Sequence, residues 1–288
     1  MENQLNIFFT IDENYIQHFT VTLTSILENN KDLSIRVFVI HDLKKISILN
    51  RASNFIKKRY GVTLELYSLN PKLFEEFKIT DHVSKATYFR LLLTEIIPND
   101  VNYGLFIDSD IVVTGPLRYF SQINFDNSCN SNSLFAVKDD DIVNVKRLNS
   151  LGFETMKYFN AGVMYINLKA WRNEKAPQHL IQIAEEFKQE LLWWDQDVLN
   201  MFFYDKWSPL PFVYNAFALQ EKMPNLPVVI HYTGSFKPWD YNNNHPYRYL
   251  YFKYLKITPY KFYNPFFYTY KKRIVGKIKK IFNVKNKQ

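Results

Sequence analysis

Hydrophobic positions along this chain follow two rhythms. Short apolar runs of strand length alternate with longer stretches in which apolar residues recur every three or four positions. Leu5 to Ile11 (Leu-Asn-Ile-Phe-Phe-Thr-Ile) reads as a buried strand, and beyond Asp12-Glu13-Asn14-Tyr15 a helix is predicted through Phe19, Leu23, Ile26 and Leu27. Ile35 to Ile40 reads as a second strand, 44–60 as helical, and Val62 to Leu69 as a third, alternating strand. No pattern is legible after Pro71 until Thr87 to Ile97, a predicted helix carrying Tyr88, Leu91, Leu92 and Glu95. In Tyr103 to Val113 an apolar run of strand type then delivers Asp108 and Asp110 at its end. In the second half, Ser133 to Val137, Phe159 to Leu168 and Val228 to Tyr232 read as strands, with helices near 177–190 and from Asp195 onward. Strand–helix alternation implies an α/β fold with a mostly parallel sheet and right-handed crossovers. Such sheets bind ligands at the carboxyl ends of their strands, so Asp12 and the Asp108/Asp110 pair are expected to share one pocket. There are no internal repeats and no Gly/Ser linker.

With 288 residues, 47% hydrophobic and 22% charged, the chain can bury a sizeable core as one large domain or one domain plus an appendage. Its one cysteine, Cys129, excludes an intrachain disulfide and reads as a loop thiol. The start, Met1-Glu2-Asn3-Gln4, lacks the features of a signal peptide, and no apolar run approaches the ~18 residues of a membrane span, so a cytoplasmic protein is expected. Charge changes the picture. Of the net +8, residues 241–288 carry twelve Lys and Arg and no acid, which leaves −4 for residues 1–240. A mildly acidic body (1–240) and a basic, aromatic C-terminal segment (241–288) are the expected divisions. In Tyr270 to Val284, Ile274, Ile278, Ile281 and Phe282 recur at helical spacing among Lys271, Lys272, Arg273, Lys277, Lys279 and Lys280. That is the composition of an interfacial amphipathic helix, so the expected partner is an anionic membrane surface and the expected location peripheral, on its inner face. No nucleic-acid recognition motif accompanies the charge, and no nucleic-acid partner is expected.

Two Asp at i and i+2 on an extended backbone point the same way and can face one ion. Hard cations such as Mg²⁺ and Mn²⁺ prefer such oxygen ligands. The spacing alone is weak: fifteen Asp give about one Asp-x-Asp by chance, and the chain has three, at Asp108/Asp110, Asp139/Asp141 and Asp195/Asp197. Only the first follows a buried-looking strand. His231 is the natural third ligand, since two carboxylates and one His leave open positions for diphosphate oxygens. A lone His in an apolar strand is more often structural, but here Gly234 relieves the backbone, Lys237 supplies a point charge for phosphate and Pro238-Trp239 stiffens the loop.

Over residues 5–240 the chain resembles the family 8 retaining glycosyltransferases, which include bacterial lipopolysaccharide glucosyl- and galactosyltransferases and glycogenin. The resemblance rests on Phe9-Thr10-Ile11-Asp12-Glu13-Asn14-Tyr15, Ala86-Thr87-Tyr88-Phe89-Arg90, Phe106-Ile107-Asp108-Ser109-Asp110 and Phe159-Asn160-Ala161-Gly162-Val163. Asp195-Gln196-Asp197-Val198-Leu199-Asn200 and the run from His231 to Trp239 complete it. It implies a GT-A fold, a UDP-sugar donor, Mn²⁺ (or Mg²⁺), and as acceptor a hydroxyl of a lipopolysaccharide, lipooligosaccharide or other glycan or glycolipid. Carried over, Asp108, Asp110 and His231 bind the metal, Gly234 and Lys237 lie near the diphosphate, and Asp12, Asn14 and Tyr15 hold uridine. Arg90, Asn160 and Asp195 contact the donor sugar, with Thr10, Ser109 and Ala161 as further donor contacts. Gln196 lies beside the anomeric carbon, with Asp195 the second catalytic candidate. Plainer readings stand beside these: Asp12 to Tyr15 as a helix cap, Arg90 as a helix-surface residue, Asn160 as a turn polar group. Asp139-Asp140-Asp141 reads equally as a sugar- or acceptor-facing acid and as a solvated turn. Retaining chemistry commonly uses a carboxylate nucleophile; a Gln amide is far weaker, which favours same-face attack within a short-lived ion pair over a covalent intermediate. Two other functions compete. One is a UDP-sugar-binding protein without transfer, the other a haloacid-dehalogenase-type phosphatase, in which the Asp-x-Asp normally ends the first strand.

Overall fold

The buried strand sequences of the N-terminal half form the centre of a seven-stranded sheet. In this computed structural model, residues 4–70, 85–125, 133–153, 155, 157–264 and 266 are described. The strands are β1 (Gln4–Ile11), β2 (Ser34–His41), β3 (Leu64–Ser68), β4 (Tyr103–Ile107), β5 (Ile111–Val113), β6 (Leu134–Asp139), β7 (Tyr158–Asn167), β8 (Trp207–Leu210) and β9 (Val229–His231). The large sheet has the order β3-β2-β1-β4-β7-β6-β8, and β5 and β9 form a separate two-stranded ribbon. Within the large sheet β7 pairs antiparallel on both sides, while the other pairings are parallel. The expected mixed, mostly parallel sheet is therefore present.

The helices are α1 (Ile16–Asn29), α2 (Ser47–Tyr60), α3 (Leu93–Ile96), α4 (Arg118–Ser121), α5 (Ile142–Ser150), α6 (Leu168–Asn173), α7 (Ala176–Glu186), α8 (Trp194–Phe202) and α9 (Arg248–Leu255). Strand alternation divides the core into two layers. Phe8, Phe38 and Phe106 face a cluster containing Tyr88, Trp171 and Leu199, whereas Phe9, Val39 and Ile107 face Phe19 and Leu23 of α1 and Leu49 and Ile56 of α2. No helix among the described residues is long and apolar enough to cross a membrane.

Three details of the chain's path bear on the site. The strand from Tyr103 ends, as expected, just before the Asp-x-Asp. The chain leaves the sheet after Ile107, where the Asp108 N–H donates to Gly162 O (2.9 Å), and resumes at Ile111 in the ribbon with β9. Asp and Ser are poor strand formers, and the break turns Asp108-Ser109-Asp110 into the cleft. The predicted helix from Thr87 is mainly a 3₁₀ segment, Lys85–Leu92, that passes into α3. Beyond residue 240, Tyr247, Leu250, Tyr251, Tyr254 and Leu255 are buried with Val21, Val112 and Ile230. The aromatic residues of α9 are thus core, because they recur at helical spacing against α1. Cys129 and the predicted helix Tyr270 to Val284 lie outside the described residues.

Candidate active site

A cleft of about 700 Å³ opens at the carboxyl ends of β1 and β4. β1 brings Thr10 and then Asp12, whose carboxylate accepts the Asn14 N–H (2.8 Å) and the Tyr15 N–H (3.0 Å). The helix-cap reading of Asp12 is therefore realised, and Asp12 and Tyr15 also line the cleft, while Asn14 does not. The other residues carried over from the resemblance all line it: Arg90, Asp108, Ser109, Asp110, Asn160, Ala161, Asp195, Gln196, His231, Gly234 and Lys237.

Asp108, Asp110 and His231 converge, with one donor atom from each lying within 4.8 Å of the others. The ribbon register, Ile111 opposite His231, makes this happen by placing the residue before β5 beside the end of β9. His231 Nε2 is 3.3 Å from Asp110 Oδ1 and 3.8 Å from Asp108 Oδ2. A buried set of two carboxylates and an imidazole is costly unless a cation compensates it, and this donor set fits Mn²⁺ or Mg²⁺. Gly162 makes room for it. A Cβ there would sit 2.1 Å from His231 Cε1 and 3.0 Å from Asp108 Oδ2, so only glycine lets the imidazole lie this close to β7.

Charged partners frame the trio. Lys237 Nζ donates to Asp110 Oδ2 and to Tyr232 O (2.8 Å). Burial favours the neutral Asp110 carboxyl, but Lys237 and His231 outweigh it and hold the group well below the usual carboxylate range. Arg90 lies between two acids, with Nη2 2.9 Å from Asp108 Oδ1 and Nε 2.7 Å from Asp195 Oδ2, and it donates to Ala161 O (2.9 Å). It is buried, so the surface reading of Arg90 fails. Burial raises Asp108 above its ordinary value and pushes Asp195 up to about 7, with Arg90 opposing both.

Gln196 is held at both ends. Its Oε1 accepts the Ala161 N–H (2.9 Å), and its Nε2 donates to Tyr158 Oη (3.3 Å). Tyr158 Oη donates in turn to Asp197 Oδ1 (2.6 Å), which also receives Arg147. The flanking acids thereby separate: Asp195 faces the cleft and Asp197 supports the loop, taking the Leu192 and Trp193 N–H groups on Oδ2. In the acidic run, Asp139 and Asp141 line the cleft, Asp141 also caps α5 through Val143 N–H (2.9 Å), and Asp140 is exposed and paired with Lys138. The run thus divides between two cleft-lining acids and one solvated acid.

Several lining residues had no assigned role in the sequence. Trp193, Trp194, Phe217, Ala218 and Asn144 complete the walls. Trp194 and Ala218 have left-handed backbones (φ 47° and 53°), a conformation uncommon for such residues and often found at functional sites. The adjacent Trp193-Trp194 pair next to Asp195 was a visible signal. Asn215 gave none.

A mixed sheet with one reversed strand, and an Asp-x-Asp facing a histidine across its carboxyl edge, define a GT-A glycosyltransferase. The chain belongs to glycosyl transferase family 8, whose family model matches residues 6–243. General stress protein A of Bacillus subtilis is 28% identical, across 88% of this chain and 94% of its own length. A lipopolysaccharide 1,2-glucosyltransferase of Escherichia coli K12 is 25% identical, across 82% of this chain and 72% of its own. Among solved structures, the galactosyltransferase LgtC in complex with donor and acceptor sugar analogues superposes with a TM-score of 0.77 at 24% identity, covering 88% of this chain and 96% of its own.

Proposed function

We propose that this protein is a retaining hexosyltransferase. It moves galactose or glucose from a UDP-sugar to a hydroxyl of a lipopolysaccharide, lipooligosaccharide or related surface-glycan acceptor. The observation that carries the reading is the convergence of Asp108, Asp110 and His231 with Lys237 in a cleft that also holds Arg90, Asp195 and Gln196. The E. coli relative named for lipopolysaccharide glucosylation supports the acceptor class.

Asp108, Asp110 and His231 would hold Mn²⁺ or Mg²⁺, which supplies positive charge against the departing diphosphate. Lys237 stands on the same side as a second, movable charge. Arg90 fixes Asp195 against the sugar side of the cleft. Gln196 Oε1 already accepts the Ala161 N–H, so the amide serves as an oriented dipole beside an oxocarbenium-like centre rather than as a free nucleophile. The acceptor oxygen then attacks the face the diphosphate leaves; the C–O bond to the acceptor forms as that to the phosphate breaks. The hydroxyl proton passes to the departing phosphate oxygen.

A thermal-shift screen of UDP-sugars with and without Mn²⁺ tests the donor, followed by transfer and donor-hydrolysis assays. A ligand at 100 times its Kd adds about 2.7 kcal/mol to native stability. The expected result is Mn²⁺-dependent stabilisation by one UDP-hexose together with turnover, both lost in Asp110→Ala. Stabilisation with neither transfer nor hydrolysis would instead make the protein a binding module. Phosphate release from a small phosphoester without UDP would make it a phosphatase.

For the basic segment 241–288 we infer docking on an anionic membrane, consistent with a cytoplasmic enzyme peripheral on the inner face. Beyond the buried face of α9, Tyr241, Tyr249, Phe262 and Phe266 are exposed, and Lys261 lies over the Phe262 ring (5.1 Å). Exposed aromatics beside basic groups suit a headgroup layer.

A further inference from the structure

The imidazole of His231 can serve as a cation ligand through Nε2 only if its proton sits on Nδ1. We propose that Asn215 is the positioning residue that enforces this tautomer, and that its own orientation is dictated by a backbone N–H of β7 through Asn160. The proposal rests on the reading of Asp108, Asp110 and His231 as a cation site.

The argument starts from a group that cannot be reversed. The Gly162 N–H donates to Asn160 Oδ1 (3.0 Å). A turned-over Asn160 amide would set its NH₂ against that N–H, two donors face to face in a buried place, and forfeit the bond. Asn160 therefore presents Oδ1 here, and the same oxygen lies 2.8 Å from Asn215 Nδ2. Only the NH₂ end of Asn215 can meet an acceptor, so its Oδ1 must point the other way. It points at His231 Nδ1, 3.0 Å distant. An amide oxygen is an acceptor only, so Nδ1 must carry a proton, and Nε2, beside Asp110 Oδ1 and Asp108 Oδ2, is the nitrogen whose lone pair a cation would take.

Burial keeps water from substituting at any link. Asn215 is 0% exposed, His231 4% and Asn160 8%. The backbone around Asn215 is fixed as well: the Ala216 N–H donates to Val229 O (2.9 Å) and the His231 N–H to Ala216 O (3.0 Å), so Asn215 travels with β9. Turning any one amide over would place like groups against each other at the next link. The chain Gly162–Asn160–Asn215–His231 thus has one direction. It also ties the cation side of the cleft to Asn160, which lines it on the sugar side.

The test reads the tautomer directly. In metal-free protein labelled with ¹⁵N-histidine at pH 9, long-range ¹H–¹⁵N spectra, with His231 assigned by its disappearance in His231→Gln, should show Nδ1 protonated. An Nδ1 without a proton overturns the proposal, and this measurement needs neither cation nor donor. Two variants read the consequence. Asn215→Leu, which keeps the volume but can neither donate nor accept, should raise the Kd for Mn²⁺, followed by electron paramagnetic resonance, by about 10- to 100-fold. Asn215→Asp keeps an acceptor for Nδ1–H but gives up the donor to Asn160 Oδ1, so it should retain the Nδ1 proton and lose less Mn²⁺ affinity than Asn215→Leu. Equal Mn²⁺ affinity in wild type and Asn215→Leu, or an equal loss in both variants, refutes the role. Should Asn215→Leu not fold, the wild-type spectrum and Asn215→Asp still decide. A wild-type protein with the expected tautomer but no Mn²⁺ affinity would overturn the cation site while leaving the tautomer assignment standing.

Discussion

Adding one methyl group at Gly162 is the sharpest perturbation this cleft offers. The Cβ of Gly162→Ala would lie 2.1 Å from His231 Cε1, 2.6 Å from Nδ1 and 3.0 Å from Asp108 Oδ2. Carbon atoms settle at about 3.5–4.0 Å, so the imidazole must retreat by about 1.4 Å or more. It has little room, being 4% exposed and tied at Nδ1 to the fully buried Asn215. Two costs follow. Overpacking of this kind destabilises by about 1–3 kcal/mol, which leaves a stable domain folded. Displacing a ligand by an ångström costs on the order of 100-fold in rate. The expected outcome is a folded variant, with a melting temperature lowered by several degrees, whose Mn²⁺ affinity falls at least tenfold and whose transfer rate falls about 100-fold. Circular dichroism, cation titration and radiolabelled-donor transfer measure the three. Wild-type Mn²⁺ affinity in a well-folded Gly162→Ala protein would show that His231 is not held against β7 as described, and would remove it from the ligand set.

Other outcomes are equally open to measurement. His18 stacks on Trp239 (3.4 Å between ring centres), its Nδ1 lies 2.7 Å from Tyr251 Oη, and burial pulls its imidazole down to about 3. Between about pH 3 and 6.5 the unfolded chain binds a proton that the native protein refuses, so stability is full above 6.5 and falls as pH drops, by about 1.4 kcal/mol per unit. Urea denaturation at pH 8, 6 and 5 should show the advantage of wild type over His18→Gln shrinking in that proportion, and a pH-independent difference would contradict it. Gln196→Ala should retain about a percent of activity, since an oriented dipole contributes on the order of 3 kcal/mol to a barrier; a sugar adduct trapped on Gln196 or Asp195 in intact-mass spectra would establish double displacement instead. A chain ending after Tyr268 keeps α9 and should still hydrolyse UDP-sugar, yet lose most binding to phosphatidylglycerol vesicles; undiminished flotation would exclude the segment beyond it as the anchor.

What could be read before folding was local. β1, β2 and the Asp12, Asp108 and His231 positions follow from apolar runs that end in polar groups, a pattern complete within ten residues. Leu105 to Ile107 and Ile111 to Val113, on either side of Asp108-Ser109-Asp110, are buried in two different sheets, a division that no local pattern marks. The aromatic residues of α9 were legible as a helical face; the lack of acid around them drew attention to charge instead. Asn215, the space required at Gly162 and the left-handed backbone of Trp194 depend on which segments meet in three dimensions. No periodicity announces them.

The ribbon of β5 and β9 joins residues 111–113 to 229–231, so the chain must close a loop of more than a hundred residues before Asp110 and His231 can meet. Such long-range closure is entropically late in folding. A polypeptide emerging from the ribosome can assemble β1 to β4 while its cation site still lacks a third corner. On the proposed function, competence for a cation would arrive with β9, and with it affinity for a charged donor. A chain ending before His231 would offer only the two acids of that set. Bound cation and donor then add their binding energy only to the finished molecule, so that occupancy of the cleft certifies that both ends of the fold have come together.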